Sequence, residues 1–427
     1  MAVTKAEGDD SRRNLLLLAT IYTAYSSIRT GSAVVLPLTA KTLLQSTLGG
    51  AEHSTLYQLP YAGLLLTDVL IAGPIAYLMH RHGRRSIFML GAACCLAGSF
   101  VAFGILRYAG MWPRLAFSMW LMGLVLLAGT GVGEFVRYAA PEAAREDERN
   151  RTVSLVLCGG GVMSALGPLS SSLASSIQGD DAVELYGYSY FFLFAAGFSL
   201  TALVSACLLR LPAPEAAMST DPGSYSALCR PEIMVAIVCQ FLVQFAMVGP
   251  SAGLPLAMGT LLGLEHGTWL ISGCAVVHVF CMFAPGFASG AYIQRLGTRP
   301  CMFGGVCVMS FGLILGILSV ETWAFYVCLA LVGLGWHVAF IASTLLLVRV
   351  DSAELAKASS VNETLRFLAN AVAALLSATW SWYWLLVACL LSCLAAMAVV
   401  CIQALWETRA RAKGAADVES CKDQFTP

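Results

Sequence analysis

Residues 76–88 read AYLMHRHGRRSIF, and 214 positions further along residues 290–303 read GAYIQRLGTRPCMF. Arg81, Gly83 and Arg85 of the first stretch align with Arg295, Gly297 and Arg299 of the second. Each stretch puts arginines and a glycine into a short gap between two long apolar runs. A run of about 20 apolar residues is long enough to cross a bilayer. A short basic break between two such runs is a turn at the cytoplasmic surface, because positively charged short loops resist translocation. The return of that turn later in the chain points to an internally repeated membrane protein.

Composition supports this reading. Of 427 residues, 58% are hydrophobic and 12% charged, and the mean hydropathy is +0.75, far above what a soluble domain keeps in water. Net charge is zero, so nothing favours nucleic acid or another polyanion as a partner. The first 13 residues are polar, and the run that follows is interrupted by Arg29 and lacks a small-residue cleavage site, which reads as a retained span. The chain does not begin Met-Gly and ends QFTP, so no myristoyl or prenyl anchor is expected. Most of the 15 cysteines sit inside apolar runs, where they serve as small hydrophobes; no metal or other cofactor is expected.

Twelve runs of spanning length can be counted, at about 14–39, 56–79, 86–108, 115–138, 152–177, 188–210, 231–257, 267–293, 300–319, 323–349, 358–379 and 382–405. They show no ten-residue alternation of the kind a barrel needs. The fold class expected is all-α integral membrane, with twelve transmembrane helices in two pseudo-symmetric six-helix bundles. With the amino terminus inside, 20 of the 25 Lys and Arg are cytoplasmic; Lys41, Arg107 and Arg114 face outward, and Arg29 and Arg366 lie in the membrane. That bias puts both termini in the cytoplasm, in a plasma or inner membrane. The longest interior break, 211–232, is rich in Pro, Ser and Ala and too short for a domain. The organisation expected is a cytoplasmic segment at 1–13, bundles at 14–210 and 231–405 joined by a linker at 211–230, and a tail at 406–427. A weaker echo of the repeat links GVGE at 131–134 to GLGW at 333–336.

The two turns resemble the loop motif of the major facilitator superfamily: a glycine, three residues, an aspartate, an arginine, one residue, then Gly-Arg-Arg or Gly-Arg-Lys. It joins helices 2 and 3 there, with a looser copy between helices 8 and 9. The resemblance covers nearly all of the chain through span count, linker position and both turns. Segments such as MFAPGFASGAYIQRLG and LVGLGWHVAFIASTLLL look like a poorly characterised bacterial group of that family. The resemblance implies solute transport by two six-helix halves around a midplane site. It also implies gating by His80, Arg81, Gly83, Arg84, Arg85, Arg295, Gly297 and Arg299, latched against cytoplasmic helix ends. His80 and Gln294 stand at the aspartate positions and Ala76 at the first glycine, so the latch must use other acids, such as Glu142, Glu146, Asp147, Glu148 or Glu354, or be weaker. GGGVMSALGPLSSS at 159–172 is similar to the family's glycine-proline motif in helix 5. Gly167 and Pro168 match it, implying a pliable, gating helix between the halves, with ordinary small-residue packing as the alternative. The sugar-porter signature after span 6 is missing, which counts against a sugar.

A charge at bilayer depth is costly and is a functional candidate by default. The candidates are Arg29 in span 1, Asp68 in span 2, Glu134 and Arg137 in span 4, His278 in span 8, His337 in span 10, and Glu363 and Arg366 in span 11. Spans 3, 6, 9 and 12 carry none, and in the resembled family those four face lipid. Helical spacing puts Tyr22, Tyr25, Ser26, Arg29 and Ser32 on one face of span 1, and Tyr57, Tyr61, Leu64 and Asp68 on one face of span 2. Counting rise places Arg29 roughly 22 Å and Asp68 roughly 12 Å from the cytoplasmic side, so a direct pair needs tilt and an extended arginine. Asn362, Arg366 and Asn370 stripe span 11, and Gln240 and Gln244 lie one turn apart on span 7.

Substrate contact is therefore expected from Arg29, Tyr25, Tyr61, Gln240, Gln244, His278, Trp336, His337 and Arg366, and proton coupling from Asp68 or Glu363. Each has a plainer alternative: a structural ion pair for Arg29 with Asp68, helix packing for the aromatics and histidines. Glu134 and Arg137, near the cytoplasmic end of span 4, read as a gating latch. The function expected is a secondary transporter for a small anionic, zwitterionic or vitamin-like heterocyclic solute such as riboflavin, working by alternating access. Its partners are that solute, protons and the lipid bilayer, with the protein a monomer. A membrane sensor or scaffold of the same fold is the rival. A channel lacks support from two echoing halves. No metal spacing, phosphate-cradling loop or nucleophile-base arrangement marks an enzyme.

Overall fold

The computed structural model describes residues 2–48, 56–140, 149–177, 188–211, 228–263, 268–347 and 352–423, and among these there is no strand. The helices are α1 (Ala2–Leu48), α2 (Leu59–His82), α3 (Arg84–Arg107), α4 (Pro113–Leu124), α5 (Val136–Ala139), α6 (Arg149–Met163), α7 (Leu166–Ile177), α8 (Ser189–Leu208), α9 (Pro231–Leu261), α10 (Thr268–Phe283), α11 (Gly286–Leu296), α12 (Thr298–Leu318), α13 (Thr322–Leu347), α14 (Ser352–Thr379) and α15 (Trp382–Asp423). Ten stretches among the described residues are long and apolar enough to cross a membrane by length and composition. The long helices α1 and α14 are not in that set. They carry the polar stripes around Arg29 and Arg366, which dilute their hydropathy, so the twelve expected spans are met by ten on composition.

Both repeated turns are single glycines between helices. Gly83 separates α2 from α3 with φ 81° and ψ 151°, and Gly297 separates α11 from α12 with φ 90° and ψ 159°. A side chain is strained at such positive φ, so the glycine in each copy is what lets one helix reverse into the next without a loop. Arg85 donates from Nη2 to the Cys207 carbonyl at 2.7 Å, at the end of α8, where a cation meets the negative end of a helix dipole. Arg81 and Arg295 are exposed. The side chains of His80 and Glu354, and residues Glu142, Glu146, Asp147 and Glu148, lie outside the described residues.

Three expected spans are not simple α-helices. In span 4 a 3-10 stretch, Val125–Phe135, joins α4 to α5. Eleven residues of 3-10 winding is long for this conformation, which commonly marks a hinge. Span 5 is interrupted at Ser164–Ala165 between α6 and α7, and span 8 at Ala284–Pro285 between α10 and α11. Pro285 has no N–H to give, so the break is written into the sequence.

The outer layer consists of α3, α8, α12 and α15, which expose large apolar side chains such as Phe100, Leu200, Phe311 and Leu391. α3 packs on α8, and α12 packs on α13 and α15. Towards the middle α2 packs on α14, and α6 and α7 pack on α10. At the end away from the Gly83 and Gly297 turns, hydrogen bonds join the early and late helices. Gln58 Nε2 donates to the Ala252 carbonyl at 2.7 Å, Ser172 Oγ to the Thr268 carbonyl at 3.1 Å, and Trp269 Nε1 to Ser176 Oγ at 3.0 Å.

Candidate functional site

A central cavity is lined from α1, α2, the Glu134–Arg137 region, α6, α7, α9, α10, α13 and α14. No lining residue comes from α3, α8, α12 or α15, the helices of spans 3, 6, 9 and 12, where the sequence places no charge at membrane depth. Charge marks the inner helices because only there can a buried ion find water or a counter-ion.

The buried charges form one chain. Asp68 pairs with Arg29, Arg29 Nη1 lies 3.3 Å from Glu134, and Arg366 Nη2 lies 2.7 Å from the other Glu134 oxygen. Arg366 also reaches Glu363 at 2.8 Å, and Glu363 pairs with Arg137. Three arginines and three carboxylates thus alternate in a line with no net charge. Pairing is what makes such charges tolerable away from bulk water. The aromatic floor of this chain is Phe367, with Arg29 and Arg366 at 5.7 and 5.2 Å from its ring centre, and Phe340, with Arg366 at 5.8 Å.

Arg29 and Asp68 touch, the direct pair that counted rise allows only with tilt and an extended arginine. One placement differs from the expectation. Glu134 and Arg137, expected as a latch near the membrane surface, line the cavity. Glu134 lies within the 3-10 stretch Val125–Phe135, whose three residues per turn change which way its side chains face relative to an α-helix.

Polar and aromatic groups continue the lining. Trp336 donates from Nε1 to Gln244 Oε1 at 3.0 Å and stacks on Phe340 with ring centres 4.7 Å apart. Gln244 Nε2 in turn donates to Asn370 Oδ1 at 2.8 Å. Phe283 meets Trp336 edge-on, and Tyr22 meets Phe283 in the same way, both at 6.3 Å. His278 shares Nδ1 with the Leu329 carbonyl at 2.8 Å. It fits there because Gly333 has no side chain: a Cβ at 333 would stand 2.8 Å from the His278 carbonyl oxygen and 3.1 Å from its Nδ1.

Of the residues expected to contact substrate, Arg29, Tyr61, Gln244, His278, Trp336, His337 and Arg366 line the cavity together. Tyr25 does not. Its hydroxyl donates to the Phe88 carbonyl at 2.7 Å, away from the cavity, because α1 turns that residue toward α3. Gln240 sits one turn from Gln244 outside the lining, donating to Thr344 Oγ1 at 3.1 Å and accepting from Asn362 at 2.7 Å. Pro168 lines the cavity, but Gly167 abuts Ser27 and Gly31 of α1 rather than a late helix. At the break beside it Thr30 Oγ1 donates to the Ser164 carbonyl at 2.8 Å. Phe283, Phe340 and Phe367 are absent from the sequence-based expectation. Their signals are faint: Phe340 lies one turn from Trp336, and Phe367 follows Arg366.

A helical membrane protein whose charge-lined cavity lies between its early and late helices is built like a solute carrier. The chain belongs to the Major Facilitator Superfamily, whose profile matches residues 18–374. It is similar to the riboflavin transporter RfnT of Brucella anthropi, 29% identical over 306 residues, covering 69% of this chain and 72% of that one. It is also 26% identical over 395 residues to an uncharacterised MFS-type transporter of Bacillus subtilis, YdeG, covering 86% of each. Among solved structures it resembles the Escherichia coli xylose transporter XylE in an inward-open conformation, with TM-score 0.70 at 14% identity, covering 90% of this chain and 94% of that one. The fold is shared; that identity says nothing of solute.

Proposed function

We infer that this protein is a secondary transporter that carries a small, hydrogen-bonding organic solute across the membrane by alternating access. The observation that carries this reading is the neutral line of charges crossing the cavity, from Asp68 and Arg29 on α2 and α1 to Glu363 and Arg366 on α14. Ion pairs that join two moving bodies hold one state and must part in the other. The bodies are residues 14–210 and 231–405, linked by 211–230, with both termini cytoplasmic.

Arg29, Tyr61, Gln244, His278, Trp336, His337 and Arg366 form the solute-facing wall in this reading. The arginine–glycine turns at 81–85 and 295–299, with Gly167 and Pro168, serve the movement. Asp68 carries the coupling proton: on protonation it releases Arg29 and loosens the chain at one end. A vitamin-like heterocycle of the riboflavin type is the favoured solute, on the strength of the relative named for riboflavin and an aromatic wall suited to a flat ring.

The test is uptake of labelled riboflavin by liposomes holding the purified protein, with and without a proton gradient. Saturable counterflow is expected in the native protein. Asp68→Asn should keep counterflow and lose gradient-driven accumulation. Accumulation undiminished in that variant would remove Asp68 from coupling, and absence of saturable flux for any vitamin tried would favour a non-transporting sensor.

A further inference from the structure

The charged groups of the cavity satisfy one another, so they leave little to read a solute with. The two histidines are different. His278 and His337 are 4% and 2% exposed and both line the cavity. Neither Nε2 atom has a hydrogen-bond partner among the described residues. In the His278 ring the other nitrogen is committed to the backbone: Nδ1 meets the Leu329 carbonyl at 2.8 Å.

That bond fixes the tautomer of His278. A carbonyl oxygen can only accept, so Nδ1 of His278 carries the proton, and in the neutral ring Nε2 is a bare lone pair. A buried acceptor with no donor is a cost that folding does not accept without compensation, and the cavity the rings border is where a donor can be supplied.

We propose that His278 and His337 form a donor-reading pair that selects an uncharged, planar heterocycle bearing N–H or O–H groups. This rests on the transport reading above and narrows its solute. The rings sit along α13, where Leu329, Gly333 and His337 follow at one-turn intervals. The His278 level is 4 to 8 residues from His337, or roughly 6 to 12 Å at 1.5 Å per residue, about the length of a two- or three-ring system. Trp336, Phe340 and Phe283 flank the same space with ring faces and edges. An anionic solute gains nothing here, because each arginine already has a carboxylate.

Two measurements test the pair. The first needs no ligand: nitrogen-15 NMR of histidine-labelled protein at neutral pH should show His278 as the Nδ1–H tautomer, and an Nε2–H signal from that ring would overturn the proposal. The second is calorimetric binding of riboflavin, N3-methylriboflavin and flavin mononucleotide. Methylation removes the imide donor and should weaken binding about 10- to 100-fold, as should the added phosphate charge. His278→Phe or His337→Phe should weaken riboflavin by a similar factor, and at least one of them should abolish the preference over the methylated analogue. His→Gln at the same position, which keeps an acceptor, should restore most of the affinity. Equal binding of the three flavins, no effect of either phenylalanine, or no binding of riboflavin at all would overturn the proposal. Binding with this selectivity but without transport would instead refute the transport reading and leave the donor-reading pair standing.

Discussion

Replacing Glu134 with Gln is the sharpest perturbation of the charge chain. Glu134 is the central carboxylate, 3.3 Å from Arg29 and 2.7 Å from Arg366, and its loss leaves three arginines with two carboxylates. Removing one partner of a buried pair costs about 3–5 kcal/mol. The Glu134 side chain is 19% exposed and glutamine can still accept from one arginine, so the low end applies, about 3 kcal/mol, or roughly 100-fold in the population of this state. The companion variant is Arg366→Gln. Together the two substitutions remove one charge of each sign from the middle of the line and leave Asp68–Arg29 and Glu363–Arg137 as separate pairs. The double variant should therefore be more stable than the two single losses summed, by about 0.5–3 kcal/mol. Chemical unfolding in detergent, run on wild type, both singles and the double, reads that coupling directly. Arg295→Gln, on an exposed turn residue, serves as the control. Additive losses, or a Glu134→Gln protein as stable as the wild type, would refute the claim that the charges act as one chain.

Other consequences are more local. Gly333→Ala places a methyl 2.8 Å from the His278 carbonyl and should destabilise the protein by about 1–3 kcal/mol through forced separation of α10 and α13. Gly304→Ala, with nothing within 4 Å, should be neutral or slightly stabilising by thermal melt. Gln58→Leu deletes the 2.7 Å bond to Ala252, worth about 1 kcal/mol, and amide exchange at the start of α2 should speed up about fivefold.

The fold was more legible in the sequence than the site. Apolar runs of spanning length and basic turns locate helices because the bilayer imposes length and loop charge imposes direction. The turns at Gly83 and Gly297 recur with nearly the same dihedral angles, as the repeated arginine–glycine pattern implies. Polar stripes also told which helices face inward. What failed was rotation. Tyr25 shares a helical face with Arg29 by spacing, yet binds the Phe88 carbonyl, because a stripe wide enough to include both is shared between two neighbours. Glu134 faces Arg29 and Arg366 because three residues per turn over Val125–Phe135 turn it to a side that an α-helical count does not give. The aromatic residues around the arginines carry no periodic mark in a chain already rich in them.

The echo between GVGE and GLGW acquires meaning only in three dimensions. In the first, Gly131 lies against the Asp68 carboxylate of α2; in the second, Gly333 lies against His278 of α10. Each missing side chain admits a polar group from the neighbouring helix at a depth where no other residue would leave room. The fourth position then diverges: Glu134 joins the ion chain, whereas Trp336 binds Gln244 and stacks on Phe340. One copy of the motif thus builds the charged device and the other builds an aromatic, hydrogen-bonding wall. In the proposed carrier the two serve different tasks, the first joining the two bodies and the second offering ring faces to the solute. On that proposal, solute preference can change at the GLGW wall without disturbing the charges that join the two bodies.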